Sequence, residues 1–173
     1  MKIETGQLRE KAALLSAGDS ILLSGVVYTA RDAAHKNLFT LLSEGKPLPF
    51  DIKNAVIYYA GPTATPPGKA IGSVGPTTST RMDGFAPTLY RMGLVATIGK
   101  GNRSEPVQKA IIETGGIYLC ALGGCGALAS ECIESCEVIA FPELGCESIK
   151  RLVFRDFPLI VGIDAKGDSL FTR

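Results

Sequence analysis

The chain has 173 residues, of which 46% are apolar and 20% are charged, and its formal net charge at pH 7 is +1. This composition is typical of a packed globular protein, and a chain of this length is expected to form one domain, residues 1–173. A net charge so close to zero excludes general binding to nucleic acid or to an anionic membrane surface, although a few local cations could hold a small anion.

The apolar segments of the sequence predict a soluble, cytoplasmic protein. The first 15 residues, MKIETGQLREKAALL, lack the apolar core of a secretory signal peptide. The longest apolar segment, GGIYLCALGGCGALA, has about 15 residues and is interrupted by glycines, whereas a membrane-spanning helix needs ~20.

Helical and strand-like segments are mixed along the chain. Helices are indicated by apolar residues that recur on one face, by the N-cap candidates Thr5 and Ser104, and by glycines at helix ends. Short apolar, β-branched runs indicate strands. In chain order the predicted elements are a helix over residues 5–19, a strand over 20–30, a helix over 31–45, strands over 55–61 and 94–102 with a helix over 81–93 between them, a helix over 104–116, a strand over 117–122, a small-residue helix over 123–134, and strands over 136–141, 149–156 and 157–164.

The mixture predicts an α/β fold. Because the last three predicted strands have no helix between them, some of the pairing is expected to be antiparallel, which makes the sheet a mixed one.

A long loop rich in Gly, Pro, Thr and Ser, residues 62–80, leads into the sequence GPTTSTR. Loops of this length inside a compact domain are often functional. Thr77 and Thr78 supply hydroxyls, and a helix that starts near Arg81 would add unpaired backbone N–H groups, which bind anions. A guanidinium in the first turn opposes the helix dipole, which suggests that Arg81 holds a carboxylate or phosphate. The alternative is a threonine that caps the helix and an arginine on the surface.

Two further cations follow predicted strands. Arg31 lies where a strand gives way to a helix, and its alternative role is a surface ion pair with Asp32. Lys100 lies between two glycines just after a strand. His35, the one histidine, follows one turn after Arg31, and a structural role is the alternative to a catalytic one. Because ligands of α/β proteins gather at the carboxyl ends of strands, Arg31, Lys100 and Arg81 together would suit a small ligand with two carboxylates.

Five cysteines stand at positions 120, 125, 132, 136 and 146. Their spacing matches neither zinc nor common iron–sulfur motifs, so the sequence predicts no metal site in this chain. We interpret the thiols as small buried apolar residues and assign them no function.

Four separated segments resemble one known family. In chain order, the sequences YTARDAAHK, GPTTSTRMD, GKGNRS and FPELGCESI with VFRDFPLIVGIDAKGDSLF are similar to the C-terminal domain of class I, iron–sulfur fumarases and to the β subunit of two-subunit fumarate hydratases and L-tartrate dehydratases. The resemblance covers residues 5–172. The departures are Ser79-Thr80, where the family often has smaller residues, and the cysteine-rich segment 123–137.

The resemblance implies a swivelling β/β/α domain that works with a separate α subunit, in an assembly of two chains of each kind. That α subunit would ligate a [4Fe-4S] cluster with its own cysteines, and the active site would lie between the chains. Carried over by motif, Thr77, with Thr78 beside it, matches the proposed catalytic base, and Arg31, Arg81 and Lys100 match ligands of the substrate carboxylates.

The reaction that the resemblance implies is the reversible hydration of fumarate to L-malate. L-Tartrate dehydration is an alternative, because the substrates differ by a hydroxyl group that the sequence of this chain does not distinguish. A stand-alone dicarboxylate-binding module without catalytic activity is a second alternative.

Overall fold

The computed structural model describes residues 1–122, 124 and 126–171. Within those residues, seven strands form one sheet, and five α-helices and three short 3₁₀ helices connect them. The strands are β1 Lys2–Glu4, β2 Ser20–Thr29, β3 Val56–Tyr58, β4 Ala96–Gly99, β5 Ile117–Cys120, β6 Ile133–Ala140 and β7 Ile149–Ile163. The α-helices are α1 Leu8–Ala12, α2 Asp32–Ser43, α3 Ala86–Arg91, α4 Glu105–Thr114 and α5 Gly126–Glu131, and the 3₁₀ helices are Thr5–Gln7, Ser79–Met82 and Pro142–Glu147.

The sheet is mixed, and its strand order is β1-β2-β3-β4-β5-β7-β6. Strands β1 to β5 pair in parallel, whereas β7 is antiparallel to β5, β6 and β2. The β2–β7 pairing closes β2, β3, β4, β5 and β7 into a ring. The α/β fold with a mixed sheet is therefore confirmed.

The long strand β7 replaces two predicted strands, 149–156 and 157–164. It continues through Asp156, which has a positive φ of 50° and whose N–H donates to the Ser24 hydroxyl at 2.9 Å. The partner strand β2 shifts register at the same level, between Leu23 and Gly25. The two predicted strands are thus the two halves of one bent strand.

Two hydrophobic clusters lie on opposite faces of the parallel strands, because successive side chains of a strand point to opposite faces. Val56 and Tyr58 belong to the first cluster with α1 and the interior side chains of β7, whereas Ile57 and Tyr59 belong to the second. Helices α2, α3 and α4 cover the second cluster. The candidate site lies at the edge of the sheet formed by the carboxyl ends of the parallel strands.

Several predicted elements differ from the observed ones. Thr5 starts a 3₁₀ helix and caps no helix, and α1 is much shorter than the predicted helix over 5–19. The predicted helix over 81–93 is instead the 3₁₀ helix Ser79–Met82 followed by α3. The short strand β1 was not predicted. Among the described residues, no helix has the length and apolar character needed to cross a membrane.

Candidate active site

The carboxyl ends of three neighbouring parallel strands meet at one edge of the sheet. In the strand register, Thr29 of β2 lies beside Tyr58 of β3, and Tyr58 lies beside Ile98 of β4. Arg31 and Lys100 follow β2 and β4 within two residues. Both cations therefore start from the same edge, as expected for parallel strands.

The loop after β3 returns to this edge and carries the two threonines with it. The N–H of Thr77 donates to the carbonyl of Tyr59 at 2.7 Å, and Thr78 pairs with Lys100 as an isolated parallel bridge. The N–H of Ser79 donates to the carbonyl of Lys100 at 3.0 Å. These bonds hold Thr77, Thr78 and Lys100 side by side.

The same bonds correct one prediction. We expected unpaired N–H groups at a helix N-terminus near Arg81, but the N–H groups of Thr77 and Ser79 already donate to backbone carbonyls. The helix there is a four-residue 3₁₀ turn, Ser79–Met82, with Arg81 in its last turn. With the N–H of Arg81 also bonded, to the carbonyl of Thr78 at 3.4 Å, fewer N–H groups are open to an anion here than an α-helix N-terminus would offer.

Close packing beneath Thr77 and Thr78 explains why the last residue of β4, at position 99, is a glycine. A Cβ at position 99 would overlap the hydroxyl of Ser79. Ser79 is buried, and its hydroxyl lies 2.9 Å from that of Tyr118, which donates to the carbonyl of Gly101 at 2.8 Å. Because the Tyr118 proton is used in that bond, the Ser79 hydroxyl donates to Tyr118. This network fixes the backbone on both sides of Lys100.

Arg81 and Asp32 connect the threonine loop to helix α2. The Nε of Arg81 donates to Oδ1 of Asp32 at 3.0 Å, and Nη2 lies 3.0 Å from Oδ2. Asp32 follows Arg31 directly, so the two arginines lie at the same end of the molecule. The predicted alternative, an ion pair between Arg31 and Asp32, is not what the structure contains.

Arg31 pairs with a carboxylate that the sequence did not suggest. Its Nε lies 3.3 Å from Oε1 of Glu147, and both side chains are 23% exposed. Oε2 of the same carboxylate accepts the N–H of Ala33, in the first turn of α2, at 3.4 Å. Glu147 therefore joins the 3₁₀ helix Pro142–Glu147 to the start of α2.

The hydroxyls and the ammonium group at this edge remain available. In the part of the chain that the structure describes, the hydroxyls of Thr77 and Thr78 form no hydrogen bond and the ammonium of Lys100 forms no ion pair. Thr78 and Lys100 are exposed and Thr77 is half-buried. The edge thus combines two guanidinium groups, one ammonium group and two free hydroxyls, which suits a small dianion.

Comparison with known proteins decides the family. The sequence pattern that defines the family described as Fumarase C-terminus matches residues 1–173, the whole chain. The chain belongs to the fumarase C-terminus family.

Individual relatives fall into two groups by length. The chain is 38% identical over 175 residues to fumarate hydratase 2 of Leishmania major, and 44% identical over 153 residues to the anaerobic class I fumarate hydratase of Escherichia coli strain K12. It spans only 31% and 28% of those two proteins. It is 36% identical over 163 residues to the putative L(+)-tartrate dehydratase subunit beta of Methanocaldococcus jannaschii and spans 84% of that protein.

A buried ion pair that sequence reasoning missed fastens the two site loops of this fumarase C-terminus chain together. Arg103, whose side chain is fully buried, donates from Nε to Oδ1 of Asp83 at 2.7 Å. Its other nitrogens donate to the hydroxyls of Thr97 at 2.8 Å and Tyr59 at 3.2 Å. The guanidinium also lies over the rings of Tyr59 and Tyr118. Both charged residues lie in segments that carried the resemblance, but their burial is not visible in the sequence.

His35 is buried against the site and supports the backbone of Arg31. Its Nδ1 lies 2.8 Å from the carbonyl of Arg31, and since that oxygen can only accept, Nδ1 carries the proton. Nε2 has no hydrogen-bond partner, and the ring packs between Tyr59 and Phe85. Burial lowers the pKa of His35 to about 4. The ring is therefore neutral at pH 7, which favours the structural role over general base catalysis.

The pKa of His35 predicts that stability depends on pH. In the unfolded chain the imidazole has a pKa of about 6.5, whereas in the folded chain the pKa is about 4. Between these values only the unfolded state binds the proton, so the free energy of unfolding should decrease by about 3 kcal/mol as the pH falls from 7 to 4. Urea denaturation at several pH values would measure this decrease.

His35→Gln is the matched control, because the amide can still donate to Arg31 but does not titrate. Its free energy of unfolding should change much less between pH 7 and pH 5, a range above most carboxylate titrations. Since the chain has one histidine, NMR titration of that imidazole gives a second reading. A pKa near 6.5 in the folded protein would contradict the assignment.

The described residues contain no group of three or more His, Cys, Asp or Glu side chains that could hold a metal ion. Cys120, Cys132 and Cys136 are half-buried free thiols and Cys146 is an exposed one, so the interpretation of the thiols as buried residues was wrong for these four; Cys125 lies outside the described residues. The donor set of the described residues therefore does not fit an iron–sulfur cluster, and we assign no chemical step to such a cluster.

Proposed function

We propose that this chain supplies half of the active site of a hydro-lyase that interconverts fumarate and L-malate. The observation that carries the proposal is the convergence of Arg31, Arg81, Lys100, Thr77 and Thr78 at one sheet edge, in a chain of the fumarase C-terminus family. Residues 1–173 would act as one domain in this role.

Binding of the substrate follows from the charges at the edge. Each guanidinium can bind a carboxylate through two parallel N–H groups, so Arg31 and Arg81 would hold the two ends of a dicarboxylate. Lys100 adds a third positive charge. When a proton leaves the carbon next to a carboxylate, negative charge moves onto the carboxylate oxygens, and cations fixed in advance stabilise that charge.

Thr77 and Thr78 would accept or relay the proton in this reaction, because their hydroxyls are unpaired beside Lys100. A threonine hydroxyl is a very weak acid and base, so it needs an activating neighbour to take part in proton transfer. The ammonium of Lys100 and the guanidinium of Arg81 lie on the same loops and would stabilise an oxyanion at either threonine.

A partner chain would complete the site. The relative in M. jannaschii is named a subunit beta, and this chain spans 84% of it, whereas it spans under a third of the two single-chain fumarate hydratases. We therefore propose an α subunit that resembles the remainder of those longer proteins, in an α2β2 assembly. The [4Fe-4S] cluster implied by the resemblance would be held by that subunit and would supply a Lewis-acid iron.

L-Tartrate dehydration is the second candidate function. It is favoured by the 36% identity to the putative L(+)-tartrate dehydratase subunit beta and by the similar length of the two chains. Both reactions remove or add water at a four-carbon diacid, so the same cations would serve either substrate.

Anaerobic co-expression with the candidate α subunit, followed by turnover assays with fumarate, L-malate and L-tartrate, tests the proposal. We expect turnover by the assembly and none by either chain alone. An assembly with no turnover on any of the three substrates, combined with tight dicarboxylate binding by this chain alone, would instead identify a binding module.

A further inference from the structure

We propose that Asp32 and Glu147 are positioning residues that hold the guanidinium groups of Arg81 and Arg31 in place before the substrate binds. This inference rests on the proposed function and deepens it. Neither carboxylate would touch the substrate, and each would act through the arginine that it binds.

The geometry at Arg81 leaves one binding edge free. Nε of Arg81 donates to Oδ1 of Asp32 at 3.0 Å, and Nη2 lies 3.0 Å from Oδ2 without forming a hydrogen bond, so Asp32 lies along the Nε–Nη2 side of the guanidinium. A guanidinium has five N–H donors. The end edge, formed by Nη1 and the second N–H of Nη2, therefore remains for a second carboxylate. The Arg81 side chain is 50% exposed, so solvent reaches that edge.

Arg31 is held from two sides. Oε1 of Glu147 lies 3.3 Å from Nε, an ion-pair contact without a hydrogen bond. On another side the backbone of Gly61 packs against the arginine so closely that a Cβ there would lie 3.1 Å from Nη1 and 3.2 Å from Cδ. Contact with Glu147 and with Gly61 leaves the guanidinium little freedom to rotate.

The buried ammonium group of Lys150 holds the backbone on both sides of Glu147. Nζ of Lys150 donates to the carbonyls of Gly145, Cys146 and Ser148 at 3.1–3.3 Å and to the Ser148 hydroxyl at 2.7 Å. Lys150 is buried, and in residues 1–122, 124 and 126–171 it has no carboxylate partner. The backbone on both sides of Glu147 is thus tied to β7, which sets the position of its carboxylate.

The two carboxylates have opposing effects on a dianionic substrate. Each adds negative charge near the site, which disfavours binding. Each also fixes an arginine before the substrate arrives, and freezing one long side chain corresponds to an affinity change of about 3- to 10-fold. Because Arg81 is bonded through Nε and keeps its end edge free, and Arg31 is held between Glu147 and Gly61, orientation should outweigh repulsion.

A double-mutant cycle in the assembled enzyme tests this. Asp32→Asn should raise KM by about 3- to 10-fold with little change in kcat, because a mobile guanidinium must be ordered when the substrate binds and, once ordered, stabilises the transition state as before. In an Arg81→Ala background the same Asp32→Asn change should alter kcat/KM less than about twofold, since no guanidinium is left to orient. Glu147→Gln with Arg31→Ala should give the same pattern.

Glu113→Gln is the matched control. It removes the carboxylate of another half-exposed pair, Arg91–Glu113, with distances of 3.0–3.1 Å, and it should leave both kinetic constants unchanged. Thermal unfolding of every variant would test whether the fold is retained.

Three outcomes would overturn the inference. They are an unchanged KM in Asp32→Asn, a lower KM because repulsion dominates, and an equal reduction of kcat/KM with and without Arg81. Normal kinetics in Arg81→Ala and in Arg31→Ala would overturn the proposed function as well, so failure of the inference alone can be recognised.

Discussion

Replacing Arg81 with lysine should lower kcat/KM of the assembled enzyme by about 10²- to 10³-fold, the usual effect of removing one preorganised donor to developing charge. The guanidinium of Arg81 binds Asp32 along one edge and, in the proposed role, would bind the substrate along another. An ammonium group is a point charge on a flexible stem and cannot offer two flat edges at once. Steady-state kinetics under anaerobic conditions would measure the loss.

Arg91→Lys is the control for this experiment, because Arg91 also pairs with a carboxylate but lies on α3, away from the site loops. It should leave kcat/KM within about twofold of the unmodified enzyme, as expected for a surface ion pair. If Arg81→Lys behaves like Arg91→Lys, Arg81 does not bind the reacting molecule.

Replacing Asp83 with alanine should reduce the free energy of unfolding by about 3–5 kcal/mol, the typical cost of leaving a buried charge without its partner. The Arg103 side chain is fully buried and Asp83 is only 11% exposed. Oδ2 of Asp83 also accepts the N–H of Ser104, at the start of α4, at 2.6 Å. Alanine would remove both bonds, and urea denaturation of the purified chain would measure the effect.

The same substitution should affect the site. Asp83 follows the turn that carries Arg81, and Arg103 lies three residues after Lys100, so their ion pair holds the two loops together. Glu113→Ala, which breaks an exposed pair, should cost less than about 1 kcal/mol. A loss below 1 kcal/mol in Asp83→Ala would contradict the role that we give to the buried pair.

The location of the candidate site could be predicted because it depends on short-range sequence. Arg31 follows the apolar run of β2 and Lys100 follows that of β4, and parallel strands bring such ends together. The alternation of helices and strands in the first 120 residues could also be predicted, since the spacing of apolar residues within each segment indicates its type. The resemblance then added roles for Thr77, Thr78, Arg31, Arg81 and Lys100 that the residue pattern alone did not supply.

The partners of those residues could not be predicted, because they are set by contacts between distant segments. Glu147 reaches Arg31 across 116 positions of the sequence, and no local pattern marks it. Arg103 and His35 are polar residues whose burial depends on the rings of Tyr59, Tyr118 and Phe85 that surround them. The turn at Ser79–Met82 was predicted as the start of an α-helix, but its N–H groups bond three residues back, Arg81 to Thr78 and Asp83 to Thr80, while Ser79 bonds to Lys100 just after β4.

A crystal structure of the assembled α and β chains with bound L-malate would test most directly whether this sheet edge is half of a dicarboxylate site. We expect the carboxylates of the ligand within about 3 Å of guanidinium nitrogens of Arg31 and Arg81, the distance of a charge-assisted hydrogen bond. A ligand bound at the reacting centre without contact to either arginine would contradict the assignment.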